Sequence, residues 1–214
     1  MKDMDYQVAY WDKVASRKTF SHPVDWEMFA SLVFKYAHIL DVGCGYGRIA
    51  AELGSKGYMN VVGIDSSPGM IERARQLAPQ PQFQVVPGIQ LPFKKASFDV
   101  VILFAVLTCV PSDLGQKNLI EQIHTVLRPR GLVYVSDYPL QNDDRNVSRY
   151  KEYKEEFGNY GVFRLSDGGV VRHHDMDWIR SLLSEFEEVE TTEIDIVTMN
   201  GNVAKAFQYF GHKS

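Results

Sequence analysis

The order of its segments predicts an α/β fold: a doubly wound, mostly parallel seven-stranded sheet with an antiparallel C-terminal hairpin strand and helices on both faces. Three observations carry this. Short apolar strands alternate with amphipathic helices from Ala37 to Asp137. Phe98–Phe104 (FDVVILF) is continuously apolar, as in a strand covered on both faces of a parallel sheet. The last two strands are joined only by Asn200-Gly201-Asn202, too short for a parallel crossover, so they pair antiparallel.

The elements follow in order. Met4 to Tyr36 is helical and amphipathic in pieces, interrupted near His22-Pro23. Ala37–Val42 forms the first strand and runs into Gly43-Cys44-Gly45-Tyr46-Gly47, with a helix from Arg48 to Lys56 and a stop at Gly57. Asn60–Ile64 is the second strand, after which Ser66-Ser67-Pro68 opens a helix through Leu77, with serine as cap and proline in its first turn. Phe83–Val86 is a short third strand and Phe98–Phe104 the fourth. Ser112 or Asp113 caps a helix whose Leu119, Ile123, Val126 and Leu127 keep helical spacing until Pro129 and Gly131 stop it, and Leu132–Asp137 is the fifth strand. A helix is expected over Arg149–Phe157, a small hairpin over Val162–His174, and a helix over Asp175–Phe186. Val189–Met199 and Val203–Phe210 close the sheet.

Length and composition narrow the function classes. The 214 residues fit one domain, 1–214, with an N-terminal helical cap over 1–36 and an inserted cap over 139–174. A net charge of -4, with acids and bases interspersed, argues against a nucleic-acid partner. No apolar run reaches membrane-spanning length, and the N-terminus lacks an apolar signal core, so no membrane partner is expected. The two cysteines, Cys44 and Cys109, are far apart, which fits a reducing, cytoplasmic setting and no disulfide framework. His22, His38, His124 and His212 are dispersed and suggest no metal site. Nothing in the sequence indicates an oligomeric state.

The chemistry concentrates in the glycine loop. A glycine-rich turn between a strand and a helix lets a ligand approach the backbone and meet free N–H groups. A dinucleotide fingerprint would place its third glycine at position 48, which is arginine here; the glycine sits at Gly47 and an acid, Asp41, precedes the loop. A nicotinamide oxidoreductase is therefore the weaker reading.

Ile39-Leu-Asp-Val-Gly-Cys-Gly-Tyr-Gly47 resembles the first motif of the class I (Rossmann-like) S-adenosylmethionine-dependent methyltransferase family. Further matches follow in order: Val61-Val-Gly-Ile-Asp65, Ser67-Pro-Gly-Met70, Leu91-Pro-Phe93 with Phe98-Asp99, and Val126-Leu-Arg-Pro-Arg-Gly131, in which Arg130 stands where the family has glycine. The resemblance spans roughly residues 37–137 and implies S-adenosyl-L-methionine as cofactor. It implies that Gly43, Cys44, Gly45 and Gly47 contact its methionine end, with Asp41 orienting the amino group. Asp65 then accepts from both ribose hydroxyls, as a carboxylate can. Ser66, Met70 and Phe104 complete the implied cofactor contacts. The family often has an aspartate before Leu91; here Val86-Pro-Gly-Ile-Gln90 has none, so Gly88 and Ile89 backbone, or the Gln90 side chain, takes over at the adenine.

What the resemblance implies for activity is methyl transfer, by in-line displacement at the sulfonium methyl, to a small-molecule acceptor. The signature that holds a planar amine is absent from Phe104-Ala-Val-Leu107, which weakens DNA bases and protein amides as acceptors. No catalytic residue is identified by spacing. Acceptor contacts are expected in the cap, from Tyr138, His173 and His174. The histidines stand either as a base near neutral pH or, more simply, as exposed hairpin and capping residues. Tyr10 and Trp11 either close over the cofactor or pack a helix on the sheet. Cys44 reads as loop packing and Cys109 as core or pocket wall. Lys151–Glu156 reads as a solvated helix face. The alternative to an enzyme is a catalytically inactive partner protein that keeps the cofactor.

Overall fold

The computed structural model describes residues 4–88 and 90–214. Its strands are β1 (Ile39–Val42), β2 (Val61–Asp65), β3 (Gln82–Val85), β4 (Phe98–Phe104), β5 (Leu127–Asp137), β6 (Val162–Arg164), β7 (Val170–Arg172), β8 (Phe186–Val197) and β9 (Val203–Lys213). The helices are α1 (Val8–Val14), α2 (Trp26–Leu32), α3 (Arg48–Ser55), α4 (Pro68–Leu77), α5 (Asp113–Val126), α6 (Asp144–Phe157) and α7 (Met176–Leu182). Seven strands form one sheet in the order β3-β2-β1-β4-β5-β9-β8, and β6 pairs with β7 in a separate hairpin. β9 runs against both of its neighbours, β5 and β8, while β1 to β5 are parallel.

Strand periodicity divides the core into two layers. Val101 and Leu103 of β4 pack with Val133 and Val135 against Leu119, Ile120 and Ile123 of α5 and Ile179 of α7. Val100 and Ile102 turn the other way, to Ile49 and Leu53 of α3, Ile71 of α4 and Phe29 of α2. Each such side chain contributes roughly 1.5–3 kcal/mol by leaving water. β1 and β4 are therefore the fixed floor beneath whatever binds at their ends. The sheet order reverses between them, opening a crevice at their C-terminal ends.

Most elements lie where the sequence puts them. Ser67 caps α4 by accepting from Met70 N, and Ser112 caps α5 by accepting from Gly115 N. Three boundaries differ. β5 begins at Leu127, because the chain pairs with β4 straight after α5 and absorbs Pro129 and Arg130 as an irregularity in register. Arg130 has φ 60°, the left-handed conformation that glycine holds in the resembling motif. α6 begins at Asp144, capped by Asp143, rather than at Arg149. α7 stops at Leu182, and Phe186 is the first residue of β8, its ring edge-on to His124 in the core. The closing strands are also longer than expected, with β9 continuing to Lys213.

Candidate functional site

A cavity of about 200 Å³ opens in the crevice, and every parallel strand brings residues to it. Gly43 and Gly45 follow β1; Asp65 and Ser66 close β2; Gly88 follows β3; Phe104, Ala105 and Val106 follow β4; Tyr138 follows β5. Gly45 has φ +53°, and a Cβ there would lie 2.3 Å from Cε2 of Phe20, so neither the backbone nor the space admits a side chain. Phe20 stacks on Tyr46 with 5.3 Å between ring centroids, sealing the loop from the N-terminal side. Ala105 has φ 55° and turns the chain from β4 into a short helical turn at Leu107–Cys109.

Asp65 faces the cavity from a half-buried position at the end of β2. Its Oδ2 accepts from Gly45 N at 3.0 Å and its Oδ1 from Ser67 N at 2.8 Å. Burial raises its pKa and the backbone donors lower it; burial wins. The carboxylate thus ties the glycine loop to the start of α4, with lone pairs left for a ligand. Asp41 lies beneath the loop, fully buried and pushed up to about 7 by burial, against the pull of Arg48. Its Oδ2 has no hydrogen-bond partner, an orphaned acceptor below a loop whose Cys44, Gly45 and Gly47 N–H groups are held by Ile64 O, Asp65 Oδ2 and Cys44 O.

The N-terminal segment straps the cavity shut. The Asp12 carboxylate accepts from Ser67 Oγ at 2.6 Å and Gly69 N at 2.8 Å, which fixes α1 on the N-terminus of α4 and lowers its own pKa. The Gln7 side chain bonds both the N–H and the C=O of Val170, at 2.7 Å each. Lys18 pairs with Asp167 at 2.9 Å and donates to Asn200 Oδ1 at 2.8 Å on the β8–β9 tip. Ser21 Oγ donates to Val197 O nearby.

Beyond the loop the cavity continues under α6 and the β6–β7 hairpin. Tyr138 lies stacked on His173, centroids 5.1 Å apart, and His22 meets Tyr138 edge-on at 4.7 Å. The His22 Nδ1 lies 2.9 Å from Ser136 Oγ, while its Nε2 is buried without a partner. Burial, helped by Arg48, pushes its pKa down to about 4, so the ring is neutral at physiological pH. His173 is likewise held well below the usual histidine range by burial and nearby Arg149, with Nδ1 against Tyr150 Oη.

The candidates named from sequence divide as follows. Gly43, Gly45, Asp65, Ser66, Met70, Gly88, Phe104, Tyr138 and His173 line the cavity. Asp41, Cys44, Gly47, Tyr10 and His174 do not appear in its wall. Gly47 caps α3 with φ 80°, and Cys44 packs as a buried free thiol. Tyr10 Oη donates to Asp167 at 3.0 Å, so it braces the strap and does not close over the cavity; its neighbour Trp11 does line it. Ile89 lies outside the described residues.

The simpler reading of His173 and His174 as exposed is corrected: both are buried. His174 Nδ1 donates to Tyr138 O at 3.0 Å, so Nδ1 carries the proton, and its Nε2 lies 2.9 Å from Gln116 Nε2, which also donates to the carbonyls of Leu107 and Val110. Burial pushes its pKa down to about 3, and its 3.8 Å approach to Asp137 is a dipole contact rather than an ion pair. Sequence reasoning also missed His22, Arg145 and Arg149, which lie in the cavity wall. His22 falls in an irregular segment where no periodicity reports burial, and the arginines sit on a helix whose composition reads as solvated.

These features fit the cofactor that the resemblance implies. The Asp65 carboxylate in the cavity wall and the glycine turn that tolerates no Cβ suit a ribose diol and a close-lying chain, respectively, while Asp41 lies behind the loop and outside that wall.

A family model described as a methyltransferase domain matches residues 40–135. The chain is 30% identical over 160 residues to the O-methyltransferase resE of Aspergillus sclerotiorum, covering 70% of this chain and 60% of that protein. It is 34% identical over 112 residues to the 2-methyl-6-phytyl-1,4-hydroquinone methyltransferase of Synechocystis, covering 51% and 34%. The chain spans about half the length of the curated relatives it matches. Among solved structures, a SAM-dependent methyltransferase of Methanosarcina mazei superposes with a TM-score of 0.82 at 26% identity, covering 88% of this chain and 97% of that one. The magnesium protoporphyrin IX methyltransferase of Synechocystis, solved with bound SAH, shares the fold at a TM-score of 0.65 and 20% identity, covering 100% and 86%. Motif order, reversed last strand, glycine loop and these likenesses agree: residues 40–135 match a methyltransferase domain, and the fold is the Rossmann-like one of S-adenosylmethionine-dependent methyltransferases.

Proposed function

We propose that the protein transfers a methyl group from S-adenosyl-L-methionine to a small-molecule acceptor held under the cap of residues 139–174. The observation that carries this reading is the continuity of one cavity from Asp65, at the nucleoside end, to Tyr138 and His173 under the cap. The names of the relatives, an O-methyltransferase and a hydroquinone methyltransferase among them, support an acceptor of small size.

When bound, the cofactor supplies an electrophilic methyl group on a sulfonium. The chain's own task is then to bind, align and exclude water. In this reading Asp65 accepts from the ribose diol, Gly43 and Gly45 receive the methionine end, and Asp41 acts from behind the loop. Met70, Gly88 and Phe104 flank the nucleoside. The segment within 1–36 closes the site from above. His22, in the cavity wall with an unpartnered Nε2, is placed to accept a hydrogen bond from an acceptor hydroxyl, though with its pKa pushed down to about 4 it is a weak base. Two unpaired cysteines support a cytoplasmic setting.

Calorimetric titration with S-adenosylhomocysteine, with NADH as control, tests the cofactor half of the proposal. Micromolar binding of the first alone is expected. Binding of neither, or of NADH alone, overturns it. An acceptor screen with labelled cofactor then separates an enzyme from a silent binding protein.

A further inference from the structure

The charge of the cavity wall is uneven along its length. Its carboxylates, Asp5 and Asp65, lie toward the nucleoside end, while Arg145 and Arg149 of α6 stand at the cap end. Arg145 is exposed and lies 3.7 Å from Asp143, a loose pairing, and Asp143 itself is engaged by Asn146. Arg149 is different. Its guanidinium lies face-on to Phe163, 3.7 Å from the ring centroid, and its polar partners are neutral side chains: Nη2 donates to Asn146, and the Tyr150 hydroxyl also bonds it. Its Nε is buried without a partner, and among the described residues no carboxylate lies within ion-pair distance of it. Asp143 is the acid near enough to act on it through space.

A half-buried guanidinium without a counter-ion is costly to keep out of water. Stacking on Phe163 fixes its plane and leaves edge donors whose fork geometry matches a carboxylate or phosphate. The walls here include three rings, Tyr138 and His173, stacked on each other, and Phe163, beside the apolar side chains of Leu165 and Val171. From this juxtaposition we infer that the methyl acceptor carries an anionic group, carboxylate or phosphate, on a flat apolar body, with Arg149 as its principal anchor and Arg145 as a guide at the entrance.

The inference rests on the methyltransferase reading, and its test keeps the two apart. The full chain, saturated with S-adenosylhomocysteine at fixed ionic strength, is titrated with the three hydroxybenzoates and phenyl phosphate, and with the matching hydroxybenzamides and phenol. The anions are expected to bind roughly ten- to a hundredfold more tightly than their neutral counterparts, the range for charge-assisted hydrogen bonds. Arg149→Met should erase that preference, and Arg149→Lys should restore part of it, while S-adenosylhomocysteine affinity stays unchanged in both. Equal binding of anions and neutrals by the wild type, or no binding of any anion, overturns the inference. So does loss of S-adenosylhomocysteine affinity in Arg149→Met, which would assign the arginine to the cofactor. Failure of the wild type to bind S-adenosylhomocysteine at all strikes instead at the proposed function.

Discussion

Replacing Asp65 separates its two jobs, one in the empty protein and one toward a ligand. In the empty protein its carboxylate receives Gly45 N at 3.0 Å and Ser67 N at 2.8 Å. Asp65→Ala leaves both buried N–H groups unmatched, at about 1–3 kcal/mol each, offset in part by removing an acid that burial disfavours. The variant should therefore unfold at lower denaturant. Toward the ligand, the lost groups are two charge-assisted acceptors for a diol, each contributing roughly 1.5–3 kcal/mol. Affinity for S-adenosylhomocysteine should fall at least about a hundredfold, at about 1.4 kcal/mol per tenfold. Asp65→Asn keeps the shape and one acceptor oxygen, and should lose roughly tenfold. Calorimetry below the unfolding midpoint of each variant, beside a denaturation curve, resolves the two effects. A folded Asp65→Ala protein that binds within threefold of wild type would refute the assignment of Asp65.

Three further outcomes follow from the same geometry. Gly45→Val meets both the φ +53° backbone and the Phe20 ring, so it should unfold earlier and lose ligand affinity; Gly201→Ala, at φ +80° with open space around it, should lose only about 1 kcal/mol and bind normally. Asp41 and Asp137 are pushed up to about 7, above the unfolded value of 3.8, so their contribution is full at acid pH and lost as pH rises through about 7. Denaturation midpoints should fall between about pH 4 and pH 7, and Asp41→Asn should remove about 1 kcal/mol or more of that decline; an unchanged slope would refute the burial argument. Lys18→Met breaks the ion pair to Asp167 and the bond to Asn200, so ligand release in stopped flow should quicken severalfold with little change in stability; an unaltered release rate would mean the strap does not gate the cavity.

What was legible in the sequence was whatever depends on periodicity and local chemistry. Phe98–Phe104 is a strand at both of its expected ends, because its apolar run is covered on both faces. Ser67 and Ser112 cap the helices they precede, because that bond is made within four residues. The walls of the cavity were less legible, since they are assembled across the chain. His22 gains its meaning from Ser136 and Tyr138, more than a hundred residues away, and His174 from Gln116. Phe186 reads as helical by spacing, but the core beside His124 claims its ring and the strand begins there. Arg149 belongs to a helix that is solvated on most of its surface, and only Phe163, from the hairpin, distinguishes it from its neighbours.

The strap is written largely in main-chain terms. Gln7 takes the N–H and carbonyl of Val170 and the carbonyl of Cys109; Asp12 takes Gly69 N; Ser21 takes Val197 O; Arg73 holds the carbonyls of Ala15 and Lys18. Bonds of this kind ask for a backbone path and are indifferent to the side chains along it. Apart from Asp167, whose side chain takes Tyr10 and Lys18, the hairpin can therefore change its residues, and with them the shape of the cavity wall, while these main-chain bonds stay as they are. Closure by these bonds and the shape of the cavity wall thus rest on different atoms of the same segments.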